Sequence, residues 1–600
     1  MNKPKEIYEH RIKRYHSLLK RQKKLIYKLS NIRLLVFLSG ALISFYFFFI
    51  KYTYLAASIF TAFLILFIWV AVIHNKFINK TKYTEALIEV NEISLKRLDG
   101  SWKEFKDIGE TFLDINHGFS SDLDLFGKNS LFQLINSSST FHGRQRLKQI
   151  LTTPETSISK IEELQLAVKE LTEKIAFRQR LTSVALVTKP EIKAFDNLYS
   201  WSKATDSLYE KKLLIFSVNL STFVTIILTL LPFITPAVPY YVPFIMYLIN
   251  FSTIIPKSQE KANILKEIYG YKESLMTSCE MLEIIEKTKF SSAHLSTYKK
   301  DIEKASKQIE NLAKICEKVA IRSSSIYLII NILLLWDYRC LIALEAWKKE
   351  NGKNIERWIT ACSEFEALCS ISNIAFNNPE WCYPNISPKA DILNAVEIGH
   401  PLIVNSRVCN SFSMAQDLKT LLITGSNMSG KSTFLRTLGV NFVLAYCGSP
   451  VCAKEFDTSI YKLYTCMRIA DNLEENISSF YAELIRIKMI VTASKENNNI
   501  FYLLDEIFKG TNSIDRHIGA KTLIKQLKNY GARGLISTHD LELGDMEQQS
   551  SNLLKNYHFE EYYKDNKIYF DYKIKRGIST TRNALYLIKL AGLDVDEYNS

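Results

Sequence analysis

The sequence predicts a chain of mixed class: an α/β domain at the C-terminal end, an all-α region before it, and two helical hairpins apolar enough to cross a bilayer. Three observations carry this. Residues 420–433, TLLITGSNMSGKST, read as a short apolar strand, a tight glycine-bearing loop and a helix start. A second apolar strand, residues 500–504, runs into two carboxylates, Asp505 and Glu506. Two long stretches, residues 34–73 and 213–256, hold one charged residue and none.

In the first stretch Gly425 and Gly430 with Lys431 and Ser432 give G-x-x-x-x-G-K-S, the P-loop spacing. Glycines let backbone N–H groups curl around phosphate oxygens, and the helix N-terminus adds a favourable dipole. The loop Gly425, Ser426, Asn427, Met428, Ser429, Gly430, Lys431, Ser432 and Thr433 is therefore the expected ATP-binding segment. Lys431 would reach the β- and γ-phosphates, and Ser432 would ligate Mg²⁺. Asp505 would hold Mg²⁺ directly or through water, and Glu506 would orient the attacking water. A third strand, residues 534–537, delivers Thr538 and His539, a position suited to sensing the γ-phosphate; alone, that histidine reads as structural.

Between the first two strands lies SSFYAEL, from Ser478, and after the carboxylates comes Gly510-Thr511-Asn512-Ser513. Together TGSNMSGKSTFLR, SSFYAEL, LLDEIFKGTNS and STHDLEL resemble the ATPase domain of the MutS family of DNA mismatch repair proteins. Those usually read close to TGPNMGGKST, STFMVEM, DEIGRGTST and THYHEL. Ser426 and Ser429 stand in place of a proline and a glycine, and Phe508 and Lys509 in place of a glycine and an arginine, departures that suggest an outlying branch. The resemblance implies an ABC-type homodimer in which the serine motif of one subunit, matched here by Ser478, faces the γ-phosphate bound to the other. The bland alternative is that Ser478 or Ser479 caps a helix. His400-Pro401 and Asn410 match positions before the P-loop, and Phe412 lies in the loop where relatives hold the adenine base.

Six hundred residues suffice for three or four domains, and 76 basic against 62 acidic residues leave a net charge of +14. A basic balance favours nucleic acid or anionic lipid as partner. The ten cysteines all fall between Cys279 and Cys466 without C-x-x-C or zinc spacing, so neither a zinc nor a haem site is expected and reduced thiols are.

Taken in order, residues 1–33 form a basic cytoplasmic arm with eleven Lys/Arg and two Glu, read as membrane-flanking, with a DNA-binding arm as the alternative. Residues 34–74 form transmembrane hairpin 1, broken at Lys51. Residues 75–210 begin the helical core, where Gly143, Arg144, Leu147, Ala167, Val168, Glu170 and Leu171 match structural positions of the MutS core. Residues 211–256 form transmembrane hairpin 2, with a buried soluble hairpin as the alternative. Flanking lysines put the ends of both hairpins in the cytoplasm. Residues 257–394 hold lever helices and the second part of the core; Ile302, Ala305, Ile309, Leu312, Ile315 and Val319 make one apolar stripe, and residues 326–336 read as a core helix. Residues 395–600 are the P-loop domain.

The expectation is an integral protein of the inner, cytoplasmic membrane: a MutS-like ATPase using ATP and Mg²⁺ to switch a dimer between conformations. DNA is its candidate partner, although no mismatch-reading domain is visible. The rival is a DNA-independent, ATP-driven membrane machine or scaffold of ABC type. Against transport, two hairpins per subunit are few and no LSGGQ sequence is present.

Overall fold

The computed structural model describes residues 3–188, 201, 203, 208–235, 239, 241–389, 391–426, 428–468, 479–497, 499–549, 553–564 and 567–578. Two compact units divide the chain. One comprises Met1–Leu95, Ser137–Arg146 and Lys174–Cys369; the other comprises Lys96–Asn136, Leu147–Glu173 and Ser370–Ser600.

The first unit is helical. Its opening segment contains no proline or glycine between Pro4 and Gly40, so nothing interrupts helix propagation. One continuous helix, Lys3–Phe49, therefore runs straight through the expected boundary at residue 33. It turns at Lys51, which takes a left-handed φ of 68°, and returns as Thr53–Asp99. Each helix has 47 residues, a length of about 70 Å. The pair closes where Gly40 lets the helices approach; a Cβ there would lie 2.6 Å from that of Phe63. Leu35, Leu42, Phe45, Phe49, Ile65 and Trp69 face outward and are exposed. Among the described residues three helices are long and apolar enough to cross a membrane: these two and Lys212–Ile234. The partner of the last, Val242–Ile254, has 13 residues, about 20 Å, short of a full crossing. Pro236, the expected turn of this hairpin, lies outside the described residues.

Residues 326–336 do not form the expected core helix. A short helix, Tyr327–Leu334, ends at Leu335 in a left-handed conformation, and Ile326, Leu328 and Ile329 are more than half exposed. The apolar run is covered on one side, where Lys212–Ile234, Val242–Ile254 and helix Trp336–Asn351 pack against it. The lever region is four helices, Ser258–Gly270, Lys272–Lys287, Ala293–Asp301 and Ala305–Val319. Lys304, at φ 64°, separates Ile302 from the stripe that follows; Ala305, Ile309, Leu312 and Val319 are buried, with Cys316 beside them.

Helix Ile355–Asn377 carries two buried carboxylates into this unit. Glu366 accepts the N–H groups of Ser139 (3.0 Å) and Thr140 (3.3 Å) and the Thr140 hydroxyl, which caps the start of helix Phe141–Thr152. Gly143 is required there, because a Cβ would collide with the Glu366 carboxylate. Glu364 pairs with Arg146 and, at 2.8 Å, with His294. Burial works against the Glu364 charge, but His294 and Arg146 outweigh it and hold the carboxyl below its ordinary value. Burial instead pushes the Glu366 carboxyl up, against its three hydrogen bonds.

The second unit is α/β. Its main sheet has six strands in the order Lys567–Arg576, Leu554–Lys564, Thr420–Thr424, Arg533–Thr538, Ile500–Asp505, Lys462–Cys466. All neighbours pair parallel except the first two strands, which form an antiparallel hairpin. The central strands are buried along nearly their whole length, as parallel strands covered on both faces must be. A smaller sheet orders Asn385–Ile386, Glu455–Thr458, Leu393–Ile398 and Asn410–Met414. Asp122 fastens the early segment of this unit to the end of strand Lys462–Cys466. Its carboxylate accepts the Thr465 hydroxyl at 2.7 Å and the N–H groups of Met467 and Arg468 at 3.1 Å. All ten cysteines are free.

Replacing Glu366 with Ala leaves the Ser139 and Thr140 N–H groups without their acceptor in a dry site. A loss of about 2 kcal/mol or more is expected. Thermal unfolding of the purified chain measures it, and an unchanged midpoint would contradict the capping role.

Candidate functional site

Strand Thr420–Thr424 is central in the sheet, and at its carboxyl end the chain must turn at once into helix Lys431–Tyr446. Gly425 (φ 148°) and Gly430 (φ 107°) adopt backbone angles that side chains disfavour, and the space is also closed to them. A Cβ on Gly425 would lie 2.9 Å from both the Phe559 carbonyl and the Ser429 hydroxyl; one on Gly430 would meet the Tyr572 ring at 3.1 Å. Lys431, at the first position of the helix, is buried, and its ammonium donates to the carbonyls of Gly425 (3.0 Å) and Ser426 (2.7 Å). Burial draws its pKa below the usual lysine value, against the pull of Glu506 and Asp505. Met428 is exposed, whereas the buried Ser429 hydroxyl has no partner among the described residues. Asn427 lies outside the described residues.

Strand Ile500–Asp505 pairs with strand Arg533–Thr538 so that Asp505 sits opposite Ser537, whose hydroxyl donates to the Asp505 carboxylate. Glu506 follows at φ 50°, a strained angle for a side-chain-bearing residue, its N–H bonded to the Ser537 carbonyl at 3.0 Å. That backbone turn aims its carboxylate at three nitrogen-bearing side chains: His539 Nε2 at 2.7 Å, Lys509 Nζ at 2.9 Å and Lys431 Nζ at 3.9 Å. The hydrogen bond from His539, then Lys509, outweighs burial and pulls the Glu506 carboxyl down to about 2, so it is ionised at neutral pH.

Two motif segments interlock beside it. The buried Glu483 carboxylate, on helix Ser479–Glu496, accepts the Phe508 N–H. Gly510 admits Phe480, whose Cβ would be 2.6 Å from a Cβ at position 510. Phe508, which stands where the family pattern has glycine, takes φ 62° and packs over Gly519. Lys509 supplies one of the cations on Glu506. Ser478 lies outside the described residues.

A cavity of about 520 Å³ opens over the glycine loop. Gly430, Lys431, Ser432, Thr433 and Glu506 form its polar end; His400, Phe434, Phe559 and Tyr572 line the rest. Asp505 is buried behind Glu506 and is not among the lining residues. Phe412 is also absent from the lining: it is buried and packs edge-on against Phe434, ring centroids 5.2 Å apart. The exposed aromatic face is Tyr572, which motif reading passed over. It reaches the loop because strand Leu554–Lys564 pairs with strand Thr420–Thr424 and the hairpin folds back. Asn410 then clamps the hairpin, donating to the Tyr572 carbonyl (3.0 Å) and accepting the Ile574 N–H (2.9 Å). His400 is held neutral: burial, then Arg436 and Arg407, bring its pKa down to about 4. On the far side of Glu506, His517 Nδ1 bonds Asp540 at 2.7 Å, with the exposed Glu542 at 4.0 Å; this ties helix Ser513–Asn529 to the end of the His539 strand.

The fold and the loop together define an α/β domain in which a glycine-bearing loop leads from a central strand into a helix N-terminus, a setting that favours negative charge. Residues 421–596 match the family model for MutS domain V. The DNA mismatch repair protein MutS of Bacillus licheniformis is 31% identical over 266 residues, 43% of this chain and 30% of that protein. Its counterpart in Clostridium botulinum (Loch Maree, type A3) is 30% identical over 268 residues, 43% of this chain and 28% of the relative. That in Listeria innocua is 29% identical over 265 residues. Residues 421–596 are thus similar to the MutS ATPase-related domain V, and the match spans less than a third of the length of these relatives.

Because Glu506 is held ionised by His539 first, its folded pKa lies below the ordinary 4.5. The resulting stabilisation is complete above about pH 4.5 and is lost as pH falls toward 2. His539→Ala should therefore lower the melting temperature at pH 5, and by less at pH 3.5. A deficit that grows between pH 5 and pH 3.5 would contradict the assignment.

Proposed function

We propose that this chain is a membrane-anchored ATPase of MutS type that uses ATP hydrolysis to switch conformation, in conjunction with nucleic acid. One observation carries the enzymatic part: an ionised carboxylate, Glu506, faces the P-loop lysine across the mouth of a cavity floored by Gly430, Ser432 and Thr433. The site fits ATP. Loop backbone that no Cβ can enter, a buried unpartnered Ser429 hydroxyl and a cavity of nucleotide size all suit a polyphosphate with an attached base. Residues 425–433 would hold the phosphates, with Lys431 exchanging its two carbonyl partners for phosphate oxygens. The base would rest against Tyr572 or His400, in preference to the enclosed Phe412.

Ser432 and Asp505 are the proposed Mg²⁺ ligands; bound Mg²⁺ would neutralise phosphate charge. Ser537 fixes the Asp505 carboxylate, and Glu506 orients water without accepting a proton at rest, since His539 and Lys509 keep it ionised. His539 positions Glu506 and so links the γ-phosphate end of the cavity to its strand. The serine motif at Ser478, acting in trans within a homodimer, completes the proposed site.

Two features bear on what the switch acts on. The exposed apolar faces of the long helices support a bilayer anchor with the ATPase domain in the cytoplasm. The basic segment continues the first of these helices, so it leads away from the apolar span. Lys13, Lys20, Lys24 and Lys28 are exposed, and Lys20 stands roughly 20 Å along the axis from Leu34, beyond the reach of headgroup charge screened over about 8 Å. A polyanion lying along the helix, such as duplex DNA, suits that arrangement better than a lipid surface. An ATP-driven membrane machine acting without DNA is the competing reading, favoured by the apolar surfaces alone.

Glu506→Gln should retain ATP affinity while lowering turnover on the order of 10²-fold or more. Lys431→Ala should instead weaken ATP binding by at least about 10-fold. Nucleotide-binding and phosphate-release assays separate the two, and wild-type turnover by Glu506→Gln would refute the role of that carboxylate.

Affinity of the solubilised protein for duplex DNA should fall with salt at a slope of about −0.9 per phosphate contact. The triple substitution Lys13→Glu, Lys20→Glu, Lys24→Glu should flatten that slope by about three units. No measurable DNA binding at low salt would favour the DNA-independent machine.

A further inference from the structure

Residues 326–336 were expected to form a core helix, yet the short helix found there, Tyr327–Leu334, is half bare. Ile326, Leu328 and Ile329 present bulky apolar side chains outward, and no charged residue lies between Arg322 and Asp337. Its other side packs against Lys212–Ile234 and Val242–Ile254, the two helices of the uncharged stretch.

Its C-terminus is handled as though water were absent. The last four carbonyls of a helix lack intrahelical partners and, where exposed, are ordinarily hydrated. Here Asn250 donates to the Ile332 carbonyl at 2.8 Å, and the Leu334 carbonyl accepts from Thr222 (3.3 Å) and Arg339 (3.0 Å). Asn250 itself is completely buried on an apolar helix. It also accepts the Ser221 hydroxyl at 2.6 Å and donates to Thr225 at 3.0 Å. One amide thus ties three apolar segments together, the use to which polar side chains are put between helices in lipid. Polar groups gather where the next helix begins: Asp337 accepts from Arg322 (2.7 Å) and Tyr327 (2.6 Å), and Tyr338 donates to the Thr253 carbonyl (2.9 Å). Val242–Ile254 is too short to cross a bilayer unaided, so this end of the hairpin has apolar surface to be completed.

We propose that Ile326–Leu335 is a re-entrant half-helix seated in the cytoplasmic leaflet, with acyl chains covering Ile326, Leu328 and Ile329 and Asn250 locking it to the hairpin. The assignment rests on the membrane-anchor reading above. It gives the all-α region a third point of contact with lipid, immediately ahead of helix Trp336–Asn351.

The test uses the full chain in phosphatidylcholine–phosphatidylglycerol nanodiscs, with the half-buried Cys279, Cys362, Cys382 and Cys409 changed to Ser. Nitroxides are placed singly at Ile329→Cys, Leu328→Cys and, on the long helix, Phe223→Cys. Collision with molecular oxygen and with a water-soluble nickel chelate is then measured. Oxygen access with several-fold lower nickel access at positions 223, 328 and 329 is the expected result. Nickel access at 328 and 329, with 223 still protected, overturns the half-helix and leaves the hairpin standing. Nickel access at 223 overturns the anchor and the proposal with it. Asn250→Leu should raise nickel access several-fold at 329 and not at 223; an unchanged value at 329 removes Asn250 as the lock.

Discussion

Glu506 is where the second unit is drawn together. Its carboxylate lies within 4 Å of side chains from the glycine loop (Lys431), from the loop that follows its own strand (Lys509) and from the next strand over (His539). Each contact depends on the parallel register that sets Asp505 beside Ser537. A one-residue slip would reverse every side chain on the strand and aim this carboxylate into the sheet. The strained φ at Glu506 is maintained by the same register, through its N–H bond to Ser537. The surrounding strands over-determine the turn, which is the condition under which a strained residue persists at a site.

Around this point the unit couples its motifs by short, buried bonds. Glu483 holds the loop after the carboxylates by the Phe508 N–H, and Gly510 exists as glycine so that Phe480 can press against it. The hairpin at the far end of the chain places Tyr572 over Gly430, clamped by Asn410. A ligand that changed the position of Glu506 would therefore be felt in the segment next to Ser478 and in helix Ser513–Asn529. One charged group is thus shared among elements that pack too tightly to move independently. The first unit is organised differently. Buried carboxylates at Glu364 and Glu366 hold its helices by capping and ion pairing, while its longest helices leave their apolar faces outside.

Much of the site was legible in the sequence because its chemistry is local. A glycine-bearing turn between strand and helix, a Lys-Ser pair at the helix start and a carboxylate pair at a strand end are each specified within a few residues. The six-stranded sheet order, by contrast, is not written in any one segment. Tyr572 lies 142 positions after Gly430 and carries no motif; only the pairing of strand Leu554–Lys564 with strand Thr420–Thr424 brings it there. Phe412 was placed beside the base by resemblance alone, yet it lies on strand Asn410–Met414 and packs behind Phe434, which lines the cavity.

By itself, then, the sequence determined the chemical groups of the candidate site, the likeness to MutS domain V and the apolar segments, since these follow from residue type and short spacing. Tertiary structure alone decided where charge and apolar surface end up. The basic arm is the continuation of a 47-residue helix, because no breaker separates it from the apolar run. The stretch at 326–336 is a half-exposed helix, because Asn250 and Thr222 on distant segments satisfy its last carbonyls and let it stop where it does. Glu506 is ionised and constrained, because residues 75 positions before it and 33 after it converge on one carboxylate. Long-range pairing sets those outcomes, and no local pattern encodes it.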